Sequence, residues 1–274
     1  MNDTRTSERE EAAAGDAGTG GETRRSALYI YGVLPADVEI DPEAKGVGEP
    51  PTPVGLITHG EIAALVGEIA PGVRLGTPHD FAAHAQILDS AAVEVPVLPL
   101  RFGAVMTDRD AVVDEFLAPY EQRFSETLRT LKGRRQIVVK GRYVEQTVLS
   151  EILEQVPQAR QLRERIANKP EDASRDERIA LGELIGKNVE ARRTADTQRV
   201  SRLLSELGVE FAVREPTHEF DAVHIACLVK QSDEERLREE CTRFARDEEG
   251  RIQLRLLGPM AAYDYVDVGP PEGR

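Results

Sequence analysis

The chain has 274 residues and a formal net charge of −14 at pH 7, and 40% of its residues are hydrophobic. The acidic charge argues against a nucleic-acid-binding protein, whose surface is basic, and against recruitment to anionic lipid. Two cysteines supply neither a disulfide framework nor a four-cysteine metal site. The sequence has no apolar run long enough to span a membrane and no secretory signal at its start, so we expect a protein of the reducing cytoplasm.

The two ends of the chain carry little that could be buried. Residues 1–25 are mostly Glu, Ala, Gly, Thr and Arg, a composition typical of disordered segments, and we expect a disordered tail there. Residues 269–274 are Gly, Pro, Glu and Arg and predict a second tail. The predicted elements of the first half are a strand at 26–33, a loop at 35–53, a hairpin at 54–58 and 62–69, a helix at 77–92, a strand at 95–102 and a helix at 107–132. A helical turn is the alternative for residues 62–69.

The two helices of the first half have clear start and kink signals. Thr77 is suited to the N-cap and Pro78 to the first turn of the first helix. The spacing of Phe81 and His84 places both on the apolar stripe of that helix, facing the core. Pro119 lies inside the second helix and predicts a kink or a restart there.

Residues 95–103, Val-Pro-Val-Leu-Pro-Leu-Arg-Phe-Gly, are the most distinctive stretch of the chain. The run is apolar on both faces and predicts a short buried strand. Pro96 and Pro99 each lack an N–H group and point their missing donors to opposite sides, so we place this strand at a sheet edge or a kinked end. Arg101 follows the run and predicts either a structural ion pair that fixes the next helix or a residue that binds a partner or ligand.

The second half predicts a strand followed by several helices and then by alternating strands and one helix. Two Ser-x-x-Glu capping boxes, which begin at Ser174 and Ser232, mark helix starts. The predicted elements are a strand at 134–143, helices at 144–156, 158–168 and 174–207, strands at 209–214 and 222–230, a helix from 232 to about 250, and strands at 251–257 and 263–268.

This order of elements predicts an α+β protein with two antiparallel sheets. The second half follows the β-α-β-β-α-β order of a ferredoxin-like unit with enlarged helical connections. The first half fits a variant that has lost its first crossover helix. We therefore expect a modified N-terminal α+β domain at 26–133 and a C-terminal ferredoxin-like domain with an extended helical insertion at 134–268.

No constellation of residues for chemistry emerges from the sequence. His79 and His84 are five residues apart and do not share a helix face, and His224 lies in an apolar strand. Cys227 and Cys241 lie at apolar positions and predict core packing. The sequence has no phosphate-binding loop and no nucleophile elbow. We therefore predict no catalytic, cofactor-binding or metal-binding residues, and a binding or assembly role instead of an enzyme.

Four segments, in order, resemble the gas vesicle synthesis proteins of the GvpL/GvpF family. They are residues 27–33 (ALYIYGV), 97–103 (VLPLRFG), 181–185 (LGELI) and 257–266 (LGPMAAYDYV). The likeness extends over about residues 27–268. Residues 260–262 (MAA) replace the Trp-Pro-Pro of the family, and residues 134–137 (RRQI) stand where the family often has Glu-Trp-Gly.

The resemblance implies a function in making gas vesicles, the protein-walled flotation compartments of some prokaryotes. Proteins of this family are minor vesicle components or assembly factors, and they are thought to bind the GvpA-type shell protein and limit its aggregation during nucleation. It also implies two ferredoxin-like domains, a location at the gas vesicle and in the cytoplasm, and other accessory proteins as further partners.

We expect Leu100, Arg101 and Phe102 to contact the partner, with a sheet edge pairing with a strand of the shell protein. An alternative from another class is a small-molecule sensor or enzyme with a pocket between the two domains. That alternative predicts a deep cleft with convergent polar groups and shifted pKa values.

Overall fold

A computed structural model describes residues 26–266 apart from Pro71, Asn168 and Glu171. The tails predicted at 1–25 and 269–274 lie outside the described residues. Within the described part, the chain forms two antiparallel sheets, one from each half, with helices packed against them. No helix of that part is both long and apolar enough to cross a bilayer.

The first sheet is built around one central strand, which pairs with a hairpin on one side and with two short strands on the other. Its strands are β1 (Ala27–Pro35), β2 (Val54–His59), β3 (Ile62–Ile69), β4 (Leu98–Pro99) and β5 (Val105–Met106). The order is β2-β3-β1-β4, and β5 also pairs with β1. The hairpin predicted around Gly60 is confirmed, and Gly60 adopts the left-handed φ of +54° that the turn requires.

The proline-containing stretch lies at the edge of this sheet, as predicted, but its strand is much shorter than predicted. Only Leu98 and Pro99 pair with β1, instead of residues 95–102. Pro99 has no N–H group, so this residue cannot donate to a ladder, which is consistent with its edge position. The outer side of β1 is therefore shared by two strands of two residues each.

The helices of the first half are α1 (Pro78–Glu94), α2 (Arg109–Ala111) and α3 (Ala118–Leu131), with a π-helical segment at Val112–Leu117 between the last two. Thr77 caps α1 as predicted, and Thr77 and Asp80 form a capping box. The irregularity predicted at Pro119 takes the form of the π segment, in which the Ala118 N–H donates to the carbonyl of Val113. The wider turn precedes the proline, whose ring disfavours a regular turn before it.

The second sheet contains four antiparallel strands in the order β7-β8-β6-β9. They are β6 (Arg134–Tyr143), β7 (Glu210–Val213), β8 (Asp221–Lys230) and β9 (Ile252–Met260). The helices of this half are α4 (Glu145–Gln155), α5 (Pro157–Ala167), α6 (Arg175–Glu206) and α7 (Glu234–Asp247). In both sheets, the strands lie in the order second, third, first, fourth along the chain.

Three local predictions for the second half differ from the structure. Ser174 occupies the N-cap position of α6, as predicted, but its hydroxyl donates to the carbonyl of Pro170 and the side-chain bond of a capping box does not form. The helix predicted to start at Ser232 starts at Glu234, and Asp233 at its N-cap position makes no side-chain capping bond. The last strand predicted at 263–268 does not form over its described residues, because β9 continues to Met260 and the chain then turns.

Three buried clusters hold the elements together. One fills the space between the second sheet and helices α4 to α7, and the other two lie on opposite faces of the first sheet. Leu228 and Ala262, from the second half, belong to the cluster beneath α3 in the first half. The two halves therefore share buried contacts. Cys227 and Cys241 are buried as predicted, and burial raises the pKa of the Cys241 thiol to about 11.

Candidate partner-binding site

The three residues predicted to contact a partner lie in the turn that follows β4, but they differ greatly in accessibility. Leu100 is buried and its N–H donates to the carbonyl of Tyr31 at 2.9 Å. Arg101 is exposed and Phe102 is half-buried. Gly103 has a φ of +99°, a left-handed conformation in which glycine is the least strained residue. The turn thus anchors its first residue in the core and presents the next two.

A hydrogen-bond network under this turn fixes both of its ends. The Tyr29 hydroxyl lies 2.9 Å from Nδ1 of His84, and Nε2 of His84 lies 3.2 Å from the carbonyl of Leu100. The N–H of Gly103 donates to the Tyr29 hydroxyl at 3.1 Å. Because a carbonyl only accepts, Nε2 must carry the proton, and Nδ1 then accepts from Tyr29. One strand residue and one helix residue therefore hold the turn at both ends.

Burial keeps this network neutral. It lowers the pKa of His84 from the ordinary value of 6.5 and raises the pKa of Tyr29. Burial also raises the pKa of neighbouring Tyr31 to about 12, and its hydroxyl accepts the N–H of Val47 at 2.8 Å. These neutral groups suit a structural scaffold for the turn.

An aromatic pair borders the turn on the surface. The ring centroids of Phe81 and Phe102 lie 4.2 Å apart, and Phe102 also packs against Tyr29 and His84. Phe81 is 52% exposed, so its predicted place in the core is wrong. The helical spacing that placed Phe81 beside His84 could not reveal that α1 overhangs the turn at this end. Arg101, Phe81 and Phe102 together form what we call the turn patch.

Among the described residues, Arg101 has no partner for the structural ion pair that was one of its two predicted roles. Within residues 26–266, apart from the three undescribed positions, no carboxylate or carbonyl bonds to this guanidinium group. Exposed arginine and aromatic side chains are enriched at protein interfaces. Chemically, the turn patch can bind an apolar surface and an acceptor group at its border.

The start of α1, which carries Phe81, is tied to the preceding loop by a buried carboxylate. Asp80 accepts the N–H groups of Gly48 at 3.0 Å, Gly76 at 3.0 Å and Thr77 at 2.9 Å. These bonds, with those of Gly48 and Thr77 the largest, lower the pKa of Asp80 to about 2. The carboxylate therefore stays charged and holds this end of the helix at neutral pH.

A groove of about 930 Å³ lies between the two halves of the chain. Its walls include Val93, Pro96 and Lys132 from the first half and Arg135 from the second. Arg135 donates to the carbonyl of Val93 and lies 3.8 Å from Glu234, so this arginine joins the two halves. The buried groups with shifted pKa values, such as His84 and Asp196, do not line the groove.

Histidines and cysteines noted in the sequence do not converge on a site. His79 is exposed, whereas His84 belongs to the network under the turn. His224 donates from Nδ1 to the carbonyl of Glu215 at 2.8 Å. Over the described residues, no three His, Cys, Asp or Glu side chains are placed so that they could hold a metal ion.

Comparison with known proteins gives one consistent result. The model of the family described as "Gas vesicle synthesis protein GvpL/GvpF" matches residues 27–267. A gas vesicle protein F from a Streptomyces species is 33% identical over 178 residues, which is 64% of this chain and 73% of that protein. A gas vesicle protein F from Dolichospermum flosaquae is 24% identical over 244 residues, or 88% of this chain and 98% of that protein.

The fold is also similar to solved structures. The crystal structure of the gas vesicle protein GvpF from Anabaena superposes with a TM-score of 0.71 at 24% identity, over 89% of this chain and 99% of that one. The GvpF structure from Microcystis aeruginosa gives a TM-score of 0.69 at 22% identity, over 87% of this chain and 98% of that one. This chain therefore belongs to the gas vesicle synthesis protein GvpL/GvpF family and has a role in gas vesicles.

Proposed function

We propose that this protein is a gas vesicle assembly factor and minor vesicle component that binds the GvpA-type shell protein and limits its aggregation during nucleation. The observation that carries the proposal is the family match over residues 27–267, which includes both sheets and all the helices between them. A hydrophobic shell subunit needs a chaperone-like binding partner until it assembles, because exposed apolar patches and free strand edges aggregate.

The net charge of the chain supports such a chaperone-like role. A net charge of −14 would keep a complex with a hydrophobic subunit dispersed in solution. The turn patch offers an apolar contact surface with one cation at its border. In this proposal Arg101 and Phe102 contact the partner, as expected from the sequence, and Phe81 joins them. Leu100 acts from beneath by anchoring the turn, since it is 1% exposed.

We also interpret each half as a modified ferredoxin-like domain, with the boundary near Gly133. The same strand order in both sheets supports this division, and so does the β-α-β-β-α-β sequence of the second half. The shared contacts through Leu228 and Ala262 make the pair one packed unit. The partner would thus meet a rigid scaffold instead of two tethered modules.

Affinity co-purification tests the proposal directly. The tagged chain is expressed with its cognate GvpA-type shell protein, and size-exclusion chromatography follows the affinity step. We expect both proteins to elute together in a soluble complex. Elution of a folded chain without shell protein would contradict direct binding. The amount of this chain in purified vesicles, relative to shell protein, separates a wall component from a factor that leaves after nucleation.

A further inference from the structure

Strand β9 has a long free edge. It is the last strand in the order β7-β8-β6-β9 and spans Ile252–Met260, and its regular pairing with β6 covers the six residues Ile252–Leu257. A bulge at Gly258 and Pro259 ends the regular ladder, and the N–H of Ala261 beyond it donates to Asp89 on α1. No other strand in the part of the chain that the structure describes lies on its outer side. In the first sheet, the edge formed by β4 and β5 offers only two residues from each strand, and the other edge strand, β2, spans six. A free edge of this length is a template for another strand unless something disfavours the pairing.

The hydrogen-bond pattern identifies the groups that point outward from this edge. The N–H of Val144 donates to the carbonyl of Arg251 at 2.8 Å, next to the Tyr143–Ile252 pair. Because hydrogen-bonded and non-hydrogen-bonded pairs alternate in an antiparallel ladder, Arg255 bonds to β6, whereas the N–H and carbonyl groups of Leu254 and Leu256 point away from it. The side chains of Leu254 and Leu256 pack towards the helix-covered core.

On the opposite face of the sheet, a row of cationic and imidazole side chains runs across β9, β6 and β8. Arg255 lies directly opposite Lys140 on β6, and Lys140 lies opposite His224 on β8. Like charges in directly opposed positions destabilise a sheet. Lys140 has Asp221 at 3.8 Å, but Arg255 is exposed and forms no ion pair with any described residue. This charge stands out in a chain whose net charge is −14.

The position of Arg255 also discriminates between occupants of the edge. A second copy that paired antiparallel about this residue would place two guanidinium groups opposite each other. An incoming strand with Asp or Glu at that position would gain an ion pair instead, across a non-hydrogen-bonded pair, where side chains approach most closely. Apolar residues on either side of the acid would extend the layer formed by Leu254 and Leu256.

We infer that the free edge of β9 binds an extended segment of a partner protein, with an acidic residue opposite Arg255 and apolar residues opposite Leu254 and Leu256. Backbone hydrogen bonds along the edge supply affinity, and the charge and the apolar layer supply specificity. This surface is separate from the turn patch, and the inference does not require the partner to be the shell protein.

Synthetic peptides test this inference with the full chain. The probe is a fluorescein-labelled peptide, Ser-Thr-Val-Glu-Val-Thr-Ser, and a second peptide has Lys in place of Glu. Fluorescence anisotropy should give binding of the Glu peptide about tenfold tighter than that of the Lys peptide. Arg255→Glu should reverse this preference. Arg236→Glu, an equal change of charge at an exposed position of α7, should leave it unchanged.

N-methylated peptides separate strand pairing from simple charge attraction. The two valine N–H groups would point at Leu254 and Leu256, whereas the glutamate N–H would point away. Methylation of both valine nitrogens should abolish binding, and methylation of the glutamate nitrogen should preserve it. Any of three outcomes would overturn the inference. These are equal affinity for the Glu and Lys peptides, equal effects of the two methylation patterns, and no saturable binding up to about 1 mM. None of these outcomes would affect co-purification with shell protein.

Discussion

The Tyr29 hydroxyl and Nδ1 of His84 lie 2.9 Å apart, and this bond joins the central strand of the first sheet to helix α1. The same two side chains bond to Leu100 and Gly103 at the two ends of the turn that presents Arg101. The position of the exposed arginine thus depends on a buried, neutral pair beneath it. A change to this pair would therefore alter both the stability of the fold and the position of Arg101.

Replacement of Tyr29 by Phe should destabilise the fold. The change leaves the buried Nδ1 of His84 and the partly buried N–H of Gly103 without their partner. We expect the free energy of unfolding to fall by about 1–3 kcal/mol. Urea denaturation followed by circular dichroism measures it. Tyr120→Phe is the matched control, since Tyr120 is 40% exposed. Equal stability of Tyr29→Phe and Tyr120→Phe would contradict the network.

The lowered pKa of His84 predicts a pH dependence of stability. The unfolded chain binds a proton near pH 6.5 more readily than the folded chain, so unfolding takes up protons and stability falls as the pH falls below about 6.5. The contribution is fully present above this value. His84→Gln keeps an amide donor and acceptor but cannot titrate. We expect its free energy of unfolding to change less than that of the wild type between pH 7.5 and pH 5.5.

His79→Gln is the control for this experiment because His79 lies on the exposed start of the same helix. Its pH dependence should match that of the wild type. If His84→Gln loses as much stability between the two pH values as the wild type does, His84 is not the group responsible.

Substitutions in the turn patch should weaken binding of the shell protein without unfolding the chain. Arg101→Ala and Phe81→Ala remove exposed groups and should each weaken binding of the shell protein about tenfold, as for a central arginine or aromatic contact. Quantitative pull-down measures the effect, and thermal unfolding checks the fold. Arg74→Ala, at another exposed position of the first half, should bind as the wild type does. Unchanged binding in both patch variants would exclude this surface.

A second buried network, centred on Asp196, stabilises the second half. Asp196 is 2% exposed and accepts from Arg251 and from the Tyr143 hydroxyl, each at 2.7 Å. Burial alone would raise its pKa, but these bonds outweigh that effect and lower it. Asp196→Ala leaves the Tyr143 hydroxyl without its acceptor and removes one of the carboxylates around Arg251, which keeps Glu248 and Glu151, and should cost about 1–3 kcal/mol of unfolding free energy. Asp176→Ala, in the exposed first turn of α6, should change it by less than about 0.5 kcal/mol.

Much of the fold follows from local sequence patterns. The hairpin around Gly60, the capping of α1 by Thr77 and the edge position of Pro99 all depend on neighbours in sequence. Turn chemistry and missing N–H groups act over a few residues, so a single sequence reveals them.

The features that escaped prediction depend on distant contacts. Phe81 has helical spacing suited to the core, but its exposure is decided by where α1 lies over a turn some twenty residues later. Ser174 has the pattern of a cap, yet its hydroxyl bonds to the carbonyl of Pro170. The opposition of Arg255 and Lys140 exists only once the register of β6 and β9 is fixed. The sequence predicted Leu100, Arg101 and Phe102 as contact residues, but it did not place Phe81 against Phe102.

Recovery of soluble shell protein tests the central claim most directly. The GvpA-type shell protein is expressed alone, with this chain, and with the Arg101→Ala/Phe81→Ala variant, and the shell protein in the supernatant is measured after high-speed centrifugation. The account predicts that the wild-type chain moves shell protein from the pellet into a soluble complex and that the variant does so less well. Equal amounts of pelleted shell protein with and without a folded wild-type chain would contradict it.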